Sequence, residues 1–403
     1  MSARPFRRKV FYLPGYDPFP ARRYRELYRR QARQQADISG YVINMAGPLP
    51  REGYGWQVTS TIEGRQTDTQ IEVLIWSDLV IASRPKYVWS TYISLIRTAW
   101  IYLSTGVLWR LVRLRKGPVI AALYPVVALL SQLAIAALLG WAAFRLPEAF
   151  GWWDALPLRA AIGVFVAYVM LRWFQRNDGR FFAYYLMHDF SYSASQNGAY
   201  PEELEHRLHQ FRDKVSLALD SDADEVLVVG HSSGAHLSIS MLADLIRQRE
   251  IAPDGPHLGL LTLGHVVPMV SFLPHGERLR ADLRYLSRRE ELTWVDVTAP
   301  GDGCSFALCD PVSVSGQSTP RKRSPLVFSA AFTKSLSPAR WRQLRWRFFR
   351  LHFQYLCAFD RPRDYDYFQI TAGPVSLAER YRGRASSKSR LEKSVSKYTS
   401  VRP

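Results

Sequence analysis

Cysteine is nearly absent from this chain: Cys304, Cys309 and Cys357 are three residues in 403, an odd number with no regular spacing. That excludes the disulfide framework on which small secreted domains rely, and fits thiols kept reduced on a cytoplasmic side, a Cys304 to Cys309 bridge being the weaker alternative. The paired Cys and His spacing of a zinc site is missing, so neither a metal nor another cofactor is expected. No export signal is expected either, because the first thirty residues open Met-Ser-Ala-Arg-Pro-Phe-Arg-Arg-Lys and pass into a strand pattern without an apolar core. Acidic side chains are outnumbered, 35 against 53 Lys and Arg, for a formal net charge of +18. Such an excess suits nucleic acid, an anionic membrane or an acidic substrate. With no nucleic-acid recognition motif and no internal repeat, placement decides. The basic residues crowd Arg4 to Lys9, Arg22 to Arg33, the flanks of the apolar segments, Arg340 to Arg350 and the tail. A lipid bilayer explains all of these sites most simply, and no nucleic-acid partner is expected.

What is present is a globular composition, 47% hydrophobic and 22% charged, in a length that suits one large α/β domain with an insertion. Val119 to Phe144 carries no charge and only Gln132 as a strongly polar side chain, with Pro125 and Gly140 as irregularities that membranes tolerate. Ala155 to Phe174 is a second apolar segment, charged at Arg159 and Arg172, which are near enough to its ends to snorkel, although its uncharged centre, Ala160 to Leu171, is short enough for a re-entrant or tightly packed helix instead. Residues 118–176 therefore read as a transmembrane hairpin whose tip holds Trp152 and Trp153. Arg110, Arg113, Arg115 and Lys116 precede it and Arg172, Arg176 and Arg180 close it, so the positive-inside rule puts both flanks, and with them both termini, in the cytoplasm. Residues 87–117 are apolar and aromatic but interrupted by Arg97, the pattern of an amphipathic helix lying in the interface.

Around this insertion strand and helix patterns alternate. Residues 1–86 carry strand candidates at Lys9 to Leu13, Tyr41 to Met45 and Gln70 to Trp76, with a helix from Ala21 to Ala36. Residues 177–381 carry strands at Glu225 to Val229, Leu258 to Leu263, Leu292 to Val297 and Leu326 to Ala330, with helices over Pro201 to Leu219 and Ala235 to Arg249. The alternation predicts a mostly parallel sheet flanked by helices. Residues 382–403, serine-rich and basic, read as a disordered arm that rests on anionic lipid or merely solubilises the protein.

The chemistry concentrates at Gly230-His-Ser-Ser-Gly234, a G-x-S-x-G sequence between a buried strand pattern and an amphipathic helix. A sharp strand-to-helix turn needs glycine on either side of a serine held in a strained conformation, and it exposes Ser232 as a nucleophile. The Ser233 amide at the helix start would then face a developing oxyanion. The chain here resembles the α/β-hydrolase superfamily of lipase-like and esterase-like enzymes, in chain order across most of its non-membrane sequence. The resemblance implies a second oxyanion donor after an earlier strand, where Phe11-Tyr-Leu-Pro-Gly-Tyr-Asp17 supplies the Tyr16 amide; Pro14-Gly15 stands where relatives often have His-Gly.

The same resemblance implies the order nucleophile, acid, histidine, with the acid just past a later strand. Asp302 in Ala299-Pro-Gly-Asp-Gly303 follows Leu292 to Val297, and Asp310 in Cys309-Asp-Pro-Val312 is its rival; Asp296 lies within the strand. Only His352 follows both acids. It falls on one helical face with Trp341, Leu344, Phe348 and Tyr355 after the helix start Ser337-Pro338, a departure from the loop position usual in the family. His231 and His236 flank the nucleophile too closely to serve as base. The expectation is a membrane-anchored serine hydrolase that cleaves an ester of an acyl or lipid-like substrate. An acyltransferase with the same triad and a non-enzymatic membrane scaffold remain open.

Overall fold

The computed structural model describes residues 4–49, 53–85, 87–150 and 156–402. Eight strands form one sheet: β1 (Phe6–Leu13), β2 (Val42–Pro48), β3 (Tyr54–Ile62), β4 (Arg65–Val73), β5 (Glu225–His231), β6 (His257–Leu263), β7 (Leu292–Thr298) and β8 (Leu326–Ser329). Their order is β2-β3-β4-β1-β5-β6-β7-β8. From β4 to β8 neighbours are parallel, whereas β2, β3 and β4 form an antiparallel meander. The protein is thus of the α/β class with a mixed, mostly parallel sheet. β3 is the strand that the sequence hides. Its outward residues Thr59 and Thr61 are polar, only Trp56, Val58 and Ile62 mark the buried face, and Glu63 and Gly64, both left-handed, turn it into β4.

Both faces of the sheet are covered, and alternation along each strand divides the core in two. Val10, Tyr12, Leu227 and Val229 face the cluster that includes Tyr24 and Tyr28 of helix Arg22–Ser39. Phe11, Leu13, Val226 and Val228 face helices Glu202–Leu219, Ser233–Gln248 and Glu277–Leu286. At the edge opposite the site, the Arg8 guanidinium is fully buried against Glu225 and donates to the Gly373 and Val375 carbonyls, which supplies the hydrogen bonds a buried charge requires. The strands β1, β5 and β7 end on one edge, where open parallel sheets collect functional side chains on the following loops.

The insertion between β4 and β5 is helical. Lys116–Glu148 and Leu156–Arg176 are long and apolar enough to cross a membrane, and only 28% and 11% of their most apolar windows are buried within the protein. Gly140 and Gly163 let the two helices meet closely: a Cβ on Gly140 would lie 2.6 Å from the Gly163 carbonyl oxygen. Arg159 pairs with Glu148 and donates to the Phe144 carbonyl instead of extending outward. The expected tip residues Trp152 and Trp153 lie outside the described residues. The expected interfacial helix over 87–117 is two helices, Val88–Ser104 and Val107–Leu114, broken at left-handed Gly106. Thr91, Leu95, Thr98 and Ile101 pack inward, while Trp89, Ile93, Ile96 and Trp100 are exposed.

The tail corrects an expectation. Residues 382–402 are not a free arm but lie along the domain. The Ser387 amide donates to Val327 O, Leu391 exchanges backbone bonds with the 308–310 loop, and Val395 and Tyr398 pack on the cluster around Phe306 and Cys309. Arg110 and Arg280 donate to the Val395 and Ser400 carbonyls. Few apolar residues are needed where a tail can borrow an existing core edge.

Candidate active site

The all-buried strand β5 delivers the chain to Ser232, which adopts φ 57° and ψ −121° before helix Ser233–Gln248 begins. A serine in this region carries backbone strain of about 1–3 kcal/mol, held in place by the surrounding structure. The Ser232 amide donates to Leu263 O at 2.9 Å, tying the turn to β6. Gly234 passes so close to β1 that a Cβ there would lie 2.1 Å from the Leu13 carbonyl oxygen. On the other side Gly15 leaves room for the serine, since its own Cβ would sit 2.9 Å from Ser232 Cβ and 3.3 Å from Oγ.

The loop after β1 is held by Asp17, whose carboxylate accepts from the Phe19 amide at 2.9 Å and the Tyr24 hydroxyl at 2.6 Å. Tyr16 is fixed at both ends: its hydroxyl meets Ser83 Oγ at 2.8 Å and its carbonyl accepts from the Tyr185 hydroxyl. Among the described residues, neither the Tyr16 nor the Ser233 amide has an acceptor. Both residues border the same cavity as Ser232. The Ser233 amide also begins a sixteen-residue helix, whose first N–H groups have no intrahelical partner and carry its positive dipole end.

Asp302 follows β7, and His352 Nδ1 lies 2.8 Å from its Oδ2. The carboxylate is buried and accepts further bonds from the Tyr355 hydroxyl at 3.1 Å and the Cys304 amide at 2.9 Å. Burial alone would raise its pKa, but the charge and hydrogen bond of His352, with the Cys304 amide and the Ser305 hydroxyl, prevail and hold it below the ordinary carboxylate value. An Nδ1–H donated to Asp302 leaves Nε2 as a proton acceptor, and His352 lines the cavity with Ser232. The segment bearing His352 is not the single helix expected but three short pieces, Pro338–Leu344, Phe348–His352 and Phe353–Leu356. His231 holds the His352 segment: its Nε2–H donates to the His352 carbonyl at 3.0 Å, and the two rings lie 4.8 Å apart. Burial lowers the His231 pKa to about 3, so it stays neutral.

The rival acids are engaged elsewhere. Asp310 caps the short helix Pro311–Val314 by accepting from the Val312 and Ser313 amides, each at 3.0 Å, and pairs with Lys322. Asp296 is buried in β7 and accepts from Thr262 Oγ1 at 2.6 Å. His236 bonds Tyr200.

The cavity itself encloses about 670 Å³, within the size range of small-molecule sites, and its walls are mostly apolar. One lining carboxyl escaped the sequence reading: Asp189, on helix Ala183–Ala194, whose pKa burial pushes up to about 7 while the His352 charge draws it down. No motif surrounds it, so only the three-dimensional arrangement reveals it. Asp302, Cys304 and His352 present ligand atoms within 4.8 Å of one another. As a metal site they fit poorly, because Asp302 and His352 already satisfy each other and burial raises the Cys304 thiol pKa well above its usual value. A second grouping, Glu205, His209 and Asp244, has both carboxylates bridged by Arg278.

Comparison with known proteins adds no relative: the chain matches no protein-family model, no curated protein and no solved structure.

Proposed function

We propose that the protein is a membrane-anchored serine hydrolase of the α/β-hydrolase type, with Ser232 as nucleophile, His352 as base and Asp302 as the acid that orients it. The observation that carries this reading is the strained Ser232 turn sharing a cavity with a buried His352–Asp302 pair. Ser232 Oγ attacks an ester carbonyl carbon while His352 Nε2 takes its proton, and the Tyr16 and Ser233 amides hold the oxyanion. The alkoxide leaving group departs with the proton carried by His352. Water, deprotonated by the same imidazole, then cleaves the acyl-enzyme to acid and free serine. Asp302 stabilises the imidazolium formed in each half.

The two apolar helices anchor the domain in the bilayer, with both flanks and both termini on the cytoplasmic side. The apolar cavity favours an ester with an acyl chain. The test is turnover of a soluble short-chain ester by the full-length protein in detergent. Ser232→Ala and His352→Gln each lower kcat at least a thousandfold. Undiminished turnover by Ser232→Ala refutes the reading.

A further inference from the structure

The cavity has one wall that the proposed chemistry does not require. Its inner end is made by the Ser232 turn and His352, but Ile120, Leu123, Tyr124 and Val127 of the long apolar helix line its outer part. These residues are spaced i, i+3, i+4 and i+7, so they form one face. The face spans about 10 Å along the helix axis at 1.5 Å per residue. Each is also strongly exposed, at 63%, 44%, 45% and 61% of its surface. A side chain that both lines a cavity and faces outward stands at an opening. Trp346 and Phe348 line the same cavity and are likewise 73% and 44% exposed.

The start of the helix is fixed against the site. A Cβ on Gly117 would contact Gly303 Cα at 3.5 Å, next to Asp302, and Arg115 Nε donates to Ala307 O at 2.9 Å. The helix therefore runs from the acid loop outward, and the cavity opens along its first turns. A hydrocarbon chain lying against that part of the helix lies against the cavity mouth as well.

On the reading that this helix enters the bilayer and Ser232 is the nucleophile, we infer that the substrate is a membrane-resident long-chain ester that reaches Ser232 sideways from the leaflet. Its acyl chain lies on the Ile120, Leu123, Tyr124 and Val127 face, through a portal bordered by Trp346 and Phe348. The occupant is hydrocarbon because the face offers nothing but apolar surface and the Tyr124 ring, and because face and spanning helix are continuous.

The experiment compares two esters with one leaving group, using full-length protein in phosphatidylcholine vesicles: 4-methylumbelliferyl palmitate incorporated in the bilayer and 4-methylumbelliferyl acetate in solution. Leu123→Trp and Val127→Trp narrow the portal; Leu130→Trp, on the same helix but away from the cavity, is the control. The expected result is a fall of at least tenfold in the palmitate-to-acetate rate ratio for both lining variants, and a ratio within twofold of wild type for Leu130→Trp. Leu123→Phe, a milder change, carries the comparison should a tryptophan variant fail to accumulate. An unchanged ratio in the lining variants, with wild type cleaving both esters, overturns the portal alone. An equal fall in Leu130→Trp also overturns it, since the effect then belongs to the helix and not to the cavity. A wild-type protein that cleaves neither ester overturns the reading of Ser232 on which the portal rests.

Discussion

Replacing Asp302 by asparagine separates an orienting acid from a loop cap. Oδ1 of Asp302 accepts from the Cys304 amide at 2.9 Å, and asparagine supports such a turn as well as aspartate, so the loop survives. The other carboxylate oxygen, 2.8 Å from His352 Nδ1, becomes an amide that donates. The imidazole must then carry its proton on Nε2, the nitrogen that on the proposed mechanism receives the Ser232 proton. The Tyr355 hydroxyl, 3.1 Å away, turns to accept or bonds Ser305, so no large repacking follows. Loss of the correct tautomer and of imidazolium stabilisation costs about 10⁴ in kcat, roughly 5.4 kcal/mol. The hydrogen bonds exchanged at one buried side chain amount to about 1–3 kcal/mol of stability. Because the Asp302 pKa is lowered on folding, its stabilising contribution is complete above the unfolded carboxylate pKa and lost as pH falls through the lower folded value. The stability gap between wild type and Asp302→Asn therefore narrows in acid. Steady-state ester hydrolysis with parallel thermal unfolding measures both. An Asp302→Asn protein that folds and keeps more than about a tenth of wild-type kcat refutes the orienting role.

Gly15→Ala sets a Cβ 2.9 Å from Ser232 Cβ and should cut turnover at least tenfold with little change in melting temperature, whereas Gly234→Ala, 2.1 Å from the Leu13 carbonyl oxygen, should fail to accumulate as folded protein. Equal expression and activity of both would contradict the tight turn. Asp189 has its pKa raised from 3.8 to about 7, so wild type pays for keeping it protonated as pH climbs between those values. Asp189→Asn should gain stability progressively from pH 4 to 7 and level off above, on the order of 2 kcal/mol after solvent screening at the open cavity. A gain that does not vary with pH in unfolding titrations would contradict this. For topology, a cysteine at exposed Leu146 should react with an impermeant thiol reagent from outside intact cells, and one at Lys388 should react only after permeabilisation; the reverse pattern overturns the orientation.

Much of this arrangement is legible in the sequence for reasons that differ by residue. The turn at Ser232 is legible because a run of buried β-formers, two glycines and an amphipathic helix agree on one geometry. His352 is legible by elimination, as the only histidine after both acid candidates. The choice between Asp302 and Asp310 is not, although Asp310-Pro311 matches a helix cap followed by proline at the first helical position, which the structure shows it to be. Asp189 has no local signature, since a carboxyl's burial in a cavity is decided by chain segments far apart in sequence. β3 is masked by its threonines, and the tail by a composition that suggests disorder. Leu391, Val395 and Tyr398 nonetheless suffice to dock the tail on a core that is already formed.

The central claim is that Ser232 is an activated nucleophile. Its most direct test is mass analysis of the full-length protein after brief exposure to a fluorophosphonate. The account predicts one adduct per chain, on the peptide containing Ser232, absent in Ser232→Ala and at least a hundredfold slower in His352→Gln. An adduct on any other residue, or labelling of wild type no faster than that of Ser232→Ala, would contradict it.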